Sequence, residues 1–164
     1  MENEIIEGLD FYLCFQLGAE KFAVNIGHVK KIMEMTNITR VPHVPEFYKG
    51  VINLFGEVLP VIDSRLKFGM EEKTYDKNTC IIVLMLSTPE KTNGVGIIVD
   101  QVHQVISIPS EQIKEPPEIG DKFKNELIQS IAQKDEEFII ILNVEKIFST
   151  QELQVINPIE NKTI

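Results

Sequence analysis

The sequence predicts an all-β fold with a few short helices, arranged as a barrel or a sandwich. Short apolar runs rich in β-branched residues recur along the chain, and Gly, Pro and Asn separate them. Helical patterns are confined to segments of one or two turns. Many short strands between such turns favour a barrel or a sandwich over a helical or parallel α/β fold.

The strands follow one another from near the start of the chain to residue 143. A turn at Gly18–Lys21 joins the first two into a hairpin, and Gly56-Glu57 joins another pair. Pro60 has no amide proton, so we expect it at a strand edge or an irregularity. The predicted strands cover residues 11–17, 22–24, 51–55, 58–62, 79–86, 94–99, 104–108, 127–132 and 138–143.

The helical segments are short and lie between or after the strands. Residues 26–32 and 144–148 could each form one or two turns, and 151–156 could form a C-terminal helix that ends before Pro158. Residues 67–78 are polar and are predicted to form a connector.

A weak internal echo suggests a two-part architecture. Two sets of positions share their spacing and keep the same order along the chain, which suggests two small barrels, each too small to stand alone, packed on one another. The first set pairs Val24, Ile26, Val29, Ile32 and Met33 with Ile97, Val99, Val102, Val105 and Ile106, and the second pairs 58–63 with 138–143.

Composition excludes several function classes. The formal net charge is -9 and the basic residues are scattered among acids, which disfavours nucleic acid or an anionic membrane as partner. No apolar run approaches the ~20 residues of a membrane span, and the acidic start does not resemble a secretory signal. We therefore expect a cytoplasmic protein with no direct membrane insertion. Cys14 and Cys80 lie in apolar stretches and are predicted to be buried free thiols.

No catalytic constellation is evident. The three histidines are far apart, and the chain has no metal-ligand spacing, phosphate-binding glycine loop or nucleophile elbow. Asp63 and Asp100 each end an apolar strand, where a carboxylate commonly caps the following turn or helix. The sequence therefore predicts no enzyme, no cofactor and no metal site.

The segment from Arg40 to Arg65 carries the most specific motif. It has a Pro-x-x-Pro turn, a Gly-Val-x-Asn strand, a glycine turn and a Pro-Val-x-Asp strand, formed by Pro42, Pro45, Gly50, Val51, Asn53, Gly56, Pro60, Val61 and Asp63. This pattern resembles the signature of CheW-like domains. Residues 15–18, 96–102 and 141–147 are similar to other family motifs, so the resemblance spans roughly residues 10–150.

The resemblance implies a fold and a role. The implied fold is two five-stranded SH3-like β-barrels around a common hydrophobic core. Residues 10–150 would form a single domain, with sub-barrels at about 10–70 (plus the strand closing it) and 75–150, and with flexible termini at 1–9 and 157–164. The implied role is an adaptor that joins the cytoplasmic tip of methyl-accepting chemoreceptors to the regulatory domain of the histidine kinase CheA.

The family binds the receptor tip between its barrels, which suggests candidate contact residues here. Ordinary core packing explains Val29, Val99 and Val102 equally well, and turn geometry explains Gly50 and Gly56. The candidates for receptor or kinase binding are Val29, Lys31, Ile32, Gly50, Phe55, Gly56, Gly96, Val99 and Val102.

Two positions depart from the family pattern. CheW-like sequences commonly have Arg where this chain has Phe55, and many have an acidic residue where it has Lys31. A change of charge at an exposed contact alters which partners are tolerated. The two residues therefore suggest a specialised paralogue with its own receptor or kinase set, and neutral drift at an exposed turn remains the simpler explanation.

Three other functions stay open at this point. The same fold could serve a chemosensory-like pathway that controls surface motility or gene expression. A small-molecule-binding β domain would need an apolar pocket with converging polar groups. An enzyme would need a catalytic constellation assembled by folding from residues distant in sequence.

Overall fold

The computed structural model describes residues 10–87, 92–116 and 127–147, and this part of the chain is mostly β. It contains one short α-helix, α1, at Ser64–Lys67, and 3-10 turns at Ile26–His28, Ser110–Gln112 and Val144–Lys146. The strands are β1 (Phe11–Leu17), β2 (Glu20–Asn25), β3 (Val29–Glu34), β4 (Tyr48–Leu54), β5 (Glu57–Asp63), β6 (Cys80–Ser87), β7 (Thr92–Val99), β8 (Gln101–Ser107), β9 (Ile113–Lys114), β10 (Ile128–Lys134) and β11 (Glu137–Leu142).

The strands form two sheets. One has six strands in the order β8-β1-β2-β11-β10-β9, and the other has five in the order β3-β6-β7-β5-β4. The five-stranded sheet takes the middle of the chain, residues 29–99, whereas the six-stranded sheet joins β1 and β2 to strands that follow residue 100. The chain therefore crosses between the sheets twice, after β2 and after β7.

The two sheets repeat the same arrangement. In each, a hairpin (β6-β7 or β1-β2) has an antiparallel strand on one side (β3 or β8) and a parallel strand on the other (β5 or β11). The parallel strand is also part of a second hairpin, β4-β5 or β10-β11. The six-stranded sheet differs only in the additional strand β9. The echo in the sequence pairs β2-β3 with β7-β8 and β5 with β11, which are the equivalent strands, so the prediction of two similar halves is confirmed. The sheets divide the chain at residues 29 and 99, however, and not near residue 70 as the predicted sub-barrel bounds would have it.

Three apolar clusters hold the sheets. One cluster, here called the common core, draws buried residues from both sheets, whereas the others lie within the six-stranded and the five-stranded sheet. Phe22 of β2 stacks on Phe15, with ring centroids 5.9 Å apart, and on Phe68 at 5.9 Å. Because Phe68 follows α1, this stack ties the helix to the opposite sheet. The common core includes Leu13, Phe15, Leu17, Phe22, Val24, Tyr48, Ile62, Ile82, Leu84, Leu86, Val95, Ile97 and Val99.

Some element predictions were wrong in detail. Residues 26–32 form only one 3-10 turn, after which β3 begins at Val29 and pairs with β6. The 3-10 turn near the C-terminus is shorter than predicted and ends at Lys146. The helix predicted at 151–156 and the flexible termini at 1–9 and 157–164 lie outside the described residues.

Pro60 lies in an interior strand, not an edge strand. β5 sits between β4 and β7, and Pro60 is opposite Val51. The backbone N–H and C=O of Val51 bond to Thr39 instead, at 2.8 and 2.9 Å, and pairing with β7 begins only at Val61. Neither the pairing of β5 with β4 nor its pairing with β7 therefore lacks a hydrogen bond because Pro60 has no amide proton.

The described residues hold no helix that is long and apolar enough to cross a membrane. Within the same ranges, no group of three His, Cys, Asp or Glu side chains is placed to hold a metal ion. Cys14 is buried and Cys80 partly buried, and burial raises the pKa of both thiols.

Candidate functional site

Two of the three candidate glycines, Gly50 and Gly96, allow close packing within the chain itself. A Cβ on Gly50 would lie 2.1 Å from the carbonyl oxygen of Thr39, and one on Gly96 would lie 2.8 Å from Ile81. Gly56 has open space within 4 Å and a φ of +85°, which is the geometry of a tight turn. Internal close approach and turn geometry therefore account for these glycines without a partner.

The candidate valines lie in or beside the common core. Val99 is fully buried in it, so its side chain offers no surface to a partner. Val29, at the start of β3, and Val102, in β8, are partly buried and pack against the same cluster. These two valines are also matched in the sequence echo. We call the apolar surface that Val29 and Val102 provide beside the common core the seam.

Lys31 and Phe55, the two departures from the family pattern, are in contact. Phe55 is at the tip of the β4-β5 hairpin and is 85% exposed. The Nζ atom of Lys31 in β3 lies over its ring, 4.5 Å from the centroid, within the range of a cation–π interaction. Ile32, the next residue of β3, is 42% exposed. We call Lys31 and Phe55 the hairpin pair.

Arg65, Asp100 and Gly18 form a polar network between the two sheets, here called the junction. The Nη1 atom of Arg65, which follows β5, lies 2.6 Å from Oδ2 of Asp100, and both side chains are largely buried. The same carboxylate oxygen accepts a hydrogen bond from the backbone N–H of Gly18, 2.7 Å away in the β1-β2 turn. The junction therefore links α1, the start of β8 and the first hairpin.

The two aspartates play different roles. Asp63 caps α1 as predicted, because its Oδ1 accepts the backbone N–H groups of Arg65 and Leu66. Asp100 was predicted to cap the turn that follows it, but its carboxylate binds Arg65 and Gly18 instead. Sequence reasoning missed this network. The available signal was a lone aspartate after a fully apolar strand, since a buried carboxylate requires a partner.

An open pocket of about 290 Å³ lies beside the loop that precedes β4. Charged side chains contribute much of its lining, and Lys49 and Glu72 form an ion pair across 2.7 Å. Ligand pockets in proteins are mostly apolar, with few polar groups. This lining gives the small-molecule-binding alternative no specific support.

Comparison with known proteins decides the family. The model of the CheW-like domain matches residues 12–152. The chain belongs to the CheW-like family. It is a chemotaxis scaffold and coupling protein, and it is not an enzyme.

Individual relatives agree over most of the chain. The chemotaxis protein CheW of Klebsiella aerogenes is 34% identical over 148 residues, which are 90% of this chain and 87% of the relative. The chemotaxis protein CheW of Bacillus subtilis is 30% identical over 146 residues, covering 89% and 91%. The crystal structure of the scaffolding protein TtCheW from Thermoanaerobacter tengcongensis superposes with a TM-score of 0.78 at 31% identity, covering 87% of this chain and 94% of that one. The predicted fold of two SH3-like barrels is thereby confirmed.

Proposed function

We propose that this CheW-like scaffold couples methyl-accepting chemoreceptors to a CheA-type histidine kinase. Its partners would be the cytoplasmic tip of the receptor and the regulatory domain of the kinase, and residues 10–150 would act as one domain. Membership of a scaffold family supports a role in holding chemotaxis proteins together. We also propose that it acts in the cytoplasm and reaches membrane arrays only by binding the receptor.

The seam is the observation that supports receptor binding. Val29 and Val102 leave apolar surface beside a core to which both sheets contribute. They occupy equivalent positions on equivalent strands, Val29 on β3 and Val102 on β8. Each of the two barrels therefore contributes one valine to this surface. An exposed apolar surface can accept the apolar face of a helix. The receptor tip, as a helical partner, would bind there.

Partner assembly provides the test of this proposal. The purified chain, the kinase regulatory domain and a receptor fragment should co-elute as a ternary complex in size-exclusion chromatography. Binding of either partner alone would reduce the role to that of a one-partner adaptor. Absence of binding to both would refute the proposal.

Threonine substitutions test the seam. Val29→Thr and Val102→Thr keep the branched shape but replace a methyl group with a hydroxyl. Each methyl removed from a buried apolar contact costs about 0.8 kcal/mol, so receptor affinity should fall about fourfold per substitution while kinase binding is unchanged. Isothermal titration calorimetry with the receptor fragment measures this.

Val105→Thr is the matched control, because Val105 lies on β8 with Val102 but is 47% exposed. It should leave receptor affinity unchanged. Equal losses in the control and in the seam variants would show that the seam is not the receptor site.

A specialised pathway is the second candidate function, and the hairpin pair favours it. A cation over an aromatic ring presents a different surface from the oppositely charged residues common in the family. Phe55→Arg together with Lys31→Glu should then shift selectivity between receptor tips or kinases in pull-down assays. Unchanged affinity for every partner would exclude the specialised role.

A further inference from the structure

Asp100 lies where the chain leaves the five-stranded sheet, between β7 and β8. Its backbone N–H donates to the carbonyl oxygen of Gln16 in β1, 3.1 Å away. Its carboxylate accepts the backbone N–H of Gly18 at 2.7 Å. Both partners belong to the first hairpin of the six-stranded sheet, so two hydrogen bonds fix this crossover residue to that sheet.

Arg65 holds the same residue from the five-stranded sheet. It lies in α1, which follows β5, and its Nη1 atom is 2.6 Å from the carboxylate of Asp100. Its Nε atom donates to the carbonyl oxygen of Glu71 at 2.9 Å. One planar guanidinium group therefore joins the crossover residue to the connector that precedes β6. A lysine ammonium group could not hold both partners in this fixed geometry.

The turn of the first hairpin packs closely on Arg65 and on the connector. Gly18 has a φ of +61°, and a Cβ there would lie 3.1 Å from Cε of Met70 and 3.7 Å from Nη1 of Arg65. Little room is therefore left for a side chain at this position. Packing, together with the hydrogen bond to Asp100, sets where the turn lies relative to α1.

The crossover residue lies beside the seam. Val102 follows Asp100 by two residues and pairs with Phe15 of β1 in the six-stranded sheet. Val29 pairs with Leu84 in the five-stranded sheet. The two seam valines thus belong to different sheets, and their spacing depends on how the two sheets are held together.

We propose that Arg65 is a positioning residue for receptor binding, because it fixes the crossover and with it the spacing of Val102 from Val29. This inference rests on the proposed function and adds to it a residue that does not touch the receptor. Arg65 is largely buried, so it acts on the receptor only through the seam. A helix that packs on both valines requires one spacing, since a gap of about 0.5–1 Å removes a quarter to a half of a contact's energy.

The variant Arg65→Met/Asp100→Asn, here called the pair variant, removes the link without leaving a buried charge unpaired. Replacement of both members of a buried ion pair by uncharged side chains is often tolerated, and the amide oxygen of Asn can still accept the N–H of Gly18. The thermal midpoint should therefore stay close to that of the original chain. Receptor affinity should fall about fourfold, the loss expected when Val102 no longer contacts the helix. Isothermal titration calorimetry of the full chain with the receptor fragment measures this affinity.

A double-mutant cycle with Val102→Thr shows whether Arg65 acts through the seam. If Val102 is already displaced in the pair variant, its substitution there costs little. The combined variant should then bind about fourfold more weakly than the original chain, and not about sixteenfold. A residue that serves only stability produces no such coupling. Additive losses would overturn the inference, and so would an unchanged receptor affinity in the pair variant.

Two single substitutions complete the test. Arg65→Lys keeps a positive charge beside Asp100 but loses the fixed fork, so its receptor affinity should lie between those of the original chain and the pair variant. Lys21→Met is the matched control, because it removes an ion pair of 2.8 Å with Glu137 that lies within the six-stranded sheet. It should leave receptor affinity unchanged. A loss as large as in the pair variant would show that receptor affinity responds to any lost ion pair, against a specific role of Arg65.

The outcomes distinguish this inference from the proposed function. If the original chain binds the receptor fragment and the pair variant binds it equally well, the positioning role of Arg65 fails and the coupling role stands. An original chain that does not bind the receptor fragment overturns the coupling role, and the positioning role with it.

Discussion

At Gly50 the backbone of β4 comes so close to Thr39 that no side chain fits between them. A Cβ there would meet the Thr39 carbonyl oxygen at 2.1 Å, and φ is +145°. The two hydrogen bonds between Thr39 and Val51 hold the chains at this distance. Gly50 thus allows residue 39 to bridge to β4.

Alanine at the two glycines of the β4-β5 hairpin should therefore have unequal effects. Gly50→Ala combines a backbone clash with strained φ and should lower the free energy of unfolding by about 3 kcal/mol. Gly56→Ala meets only open space and should cost about 1 kcal/mol for its positive φ. Urea denaturation of both variants measures the difference. Equal losses would show that the contact with Thr39 relaxes easily.

The elements show what the sequence could predict and what it could not. Apolar, β-branched runs predicted most strands, since alternation and turn residues are local signals. β3 was missed because residues 26–32 have apolar spacing that suits a helix as well as a strand. The contact between Lys31 and Phe55 and the junction of Arg65 with Asp100 join residues far apart in sequence. Such contacts follow from barrel closure, which no local pattern specifies.

The connector from Phe68 to Asn78 is held to the sheets by a few polar contacts. The hydroxyl of Tyr75 donates a hydrogen bond to Oδ2 of Asp63 at 2.7 Å. The Nε atom of Arg65 donates to the carbonyl oxygen of Glu71 at 2.9 Å. Asp63 therefore caps α1 with one carboxylate oxygen and fastens the connector with the other.

Tyr75→Phe should destabilise the chain at neutral pH, but less in alkali. Loss of the bond to Asp63 should cost about 1 kcal/mol at pH 8, given partial exposure. Burial, the bond to Asp63 and its negative charge raise the pKa of Tyr75 well above its usual 10.0. Above pH 10 the Tyr75 phenol ionises in the unfolded protein but stays protonated in the folded protein. The protein without the substitution therefore loses stability as the pH rises.

The phenylalanine variant lacks this ionisation. The difference in free energy of unfolding between the two proteins should therefore become smaller above pH 10. Urea denaturation at pH 8 and at about pH 10.5 measures the gap. A gap of the same size at both values would mean that Tyr75 ionises equally in the folded and unfolded chains.

At the scale of the whole molecule, the two sheets depend on each other. The common core takes side chains from both, and the chain enters the five-stranded sheet after β2 and leaves it after β7. The junction adds a hydrogen bond between the sheets, from the backbone N–H of Gly18 to the carboxylate of Asp100, which is itself paired with Arg65. Separation of the barrels would expose the shared apolar surface and remove this bond from a largely buried carboxylate, each of which is costly.

The two free cysteines can report whether the sheets unfold together. Cys14 is buried in β1 of the six-stranded sheet, and Cys80 begins β6 of the five-stranded sheet. In a urea series, brief alkylation followed by peptide mass spectrometry gives a separate unfolding midpoint for each thiol. A shared core predicts that the two midpoints coincide, because neither sheet keeps its buried face without the other. If Cys14 and Cys80 became reactive at clearly different urea concentrations, the barrels would be independent units, and a seam between them could not stay fixed for a partner.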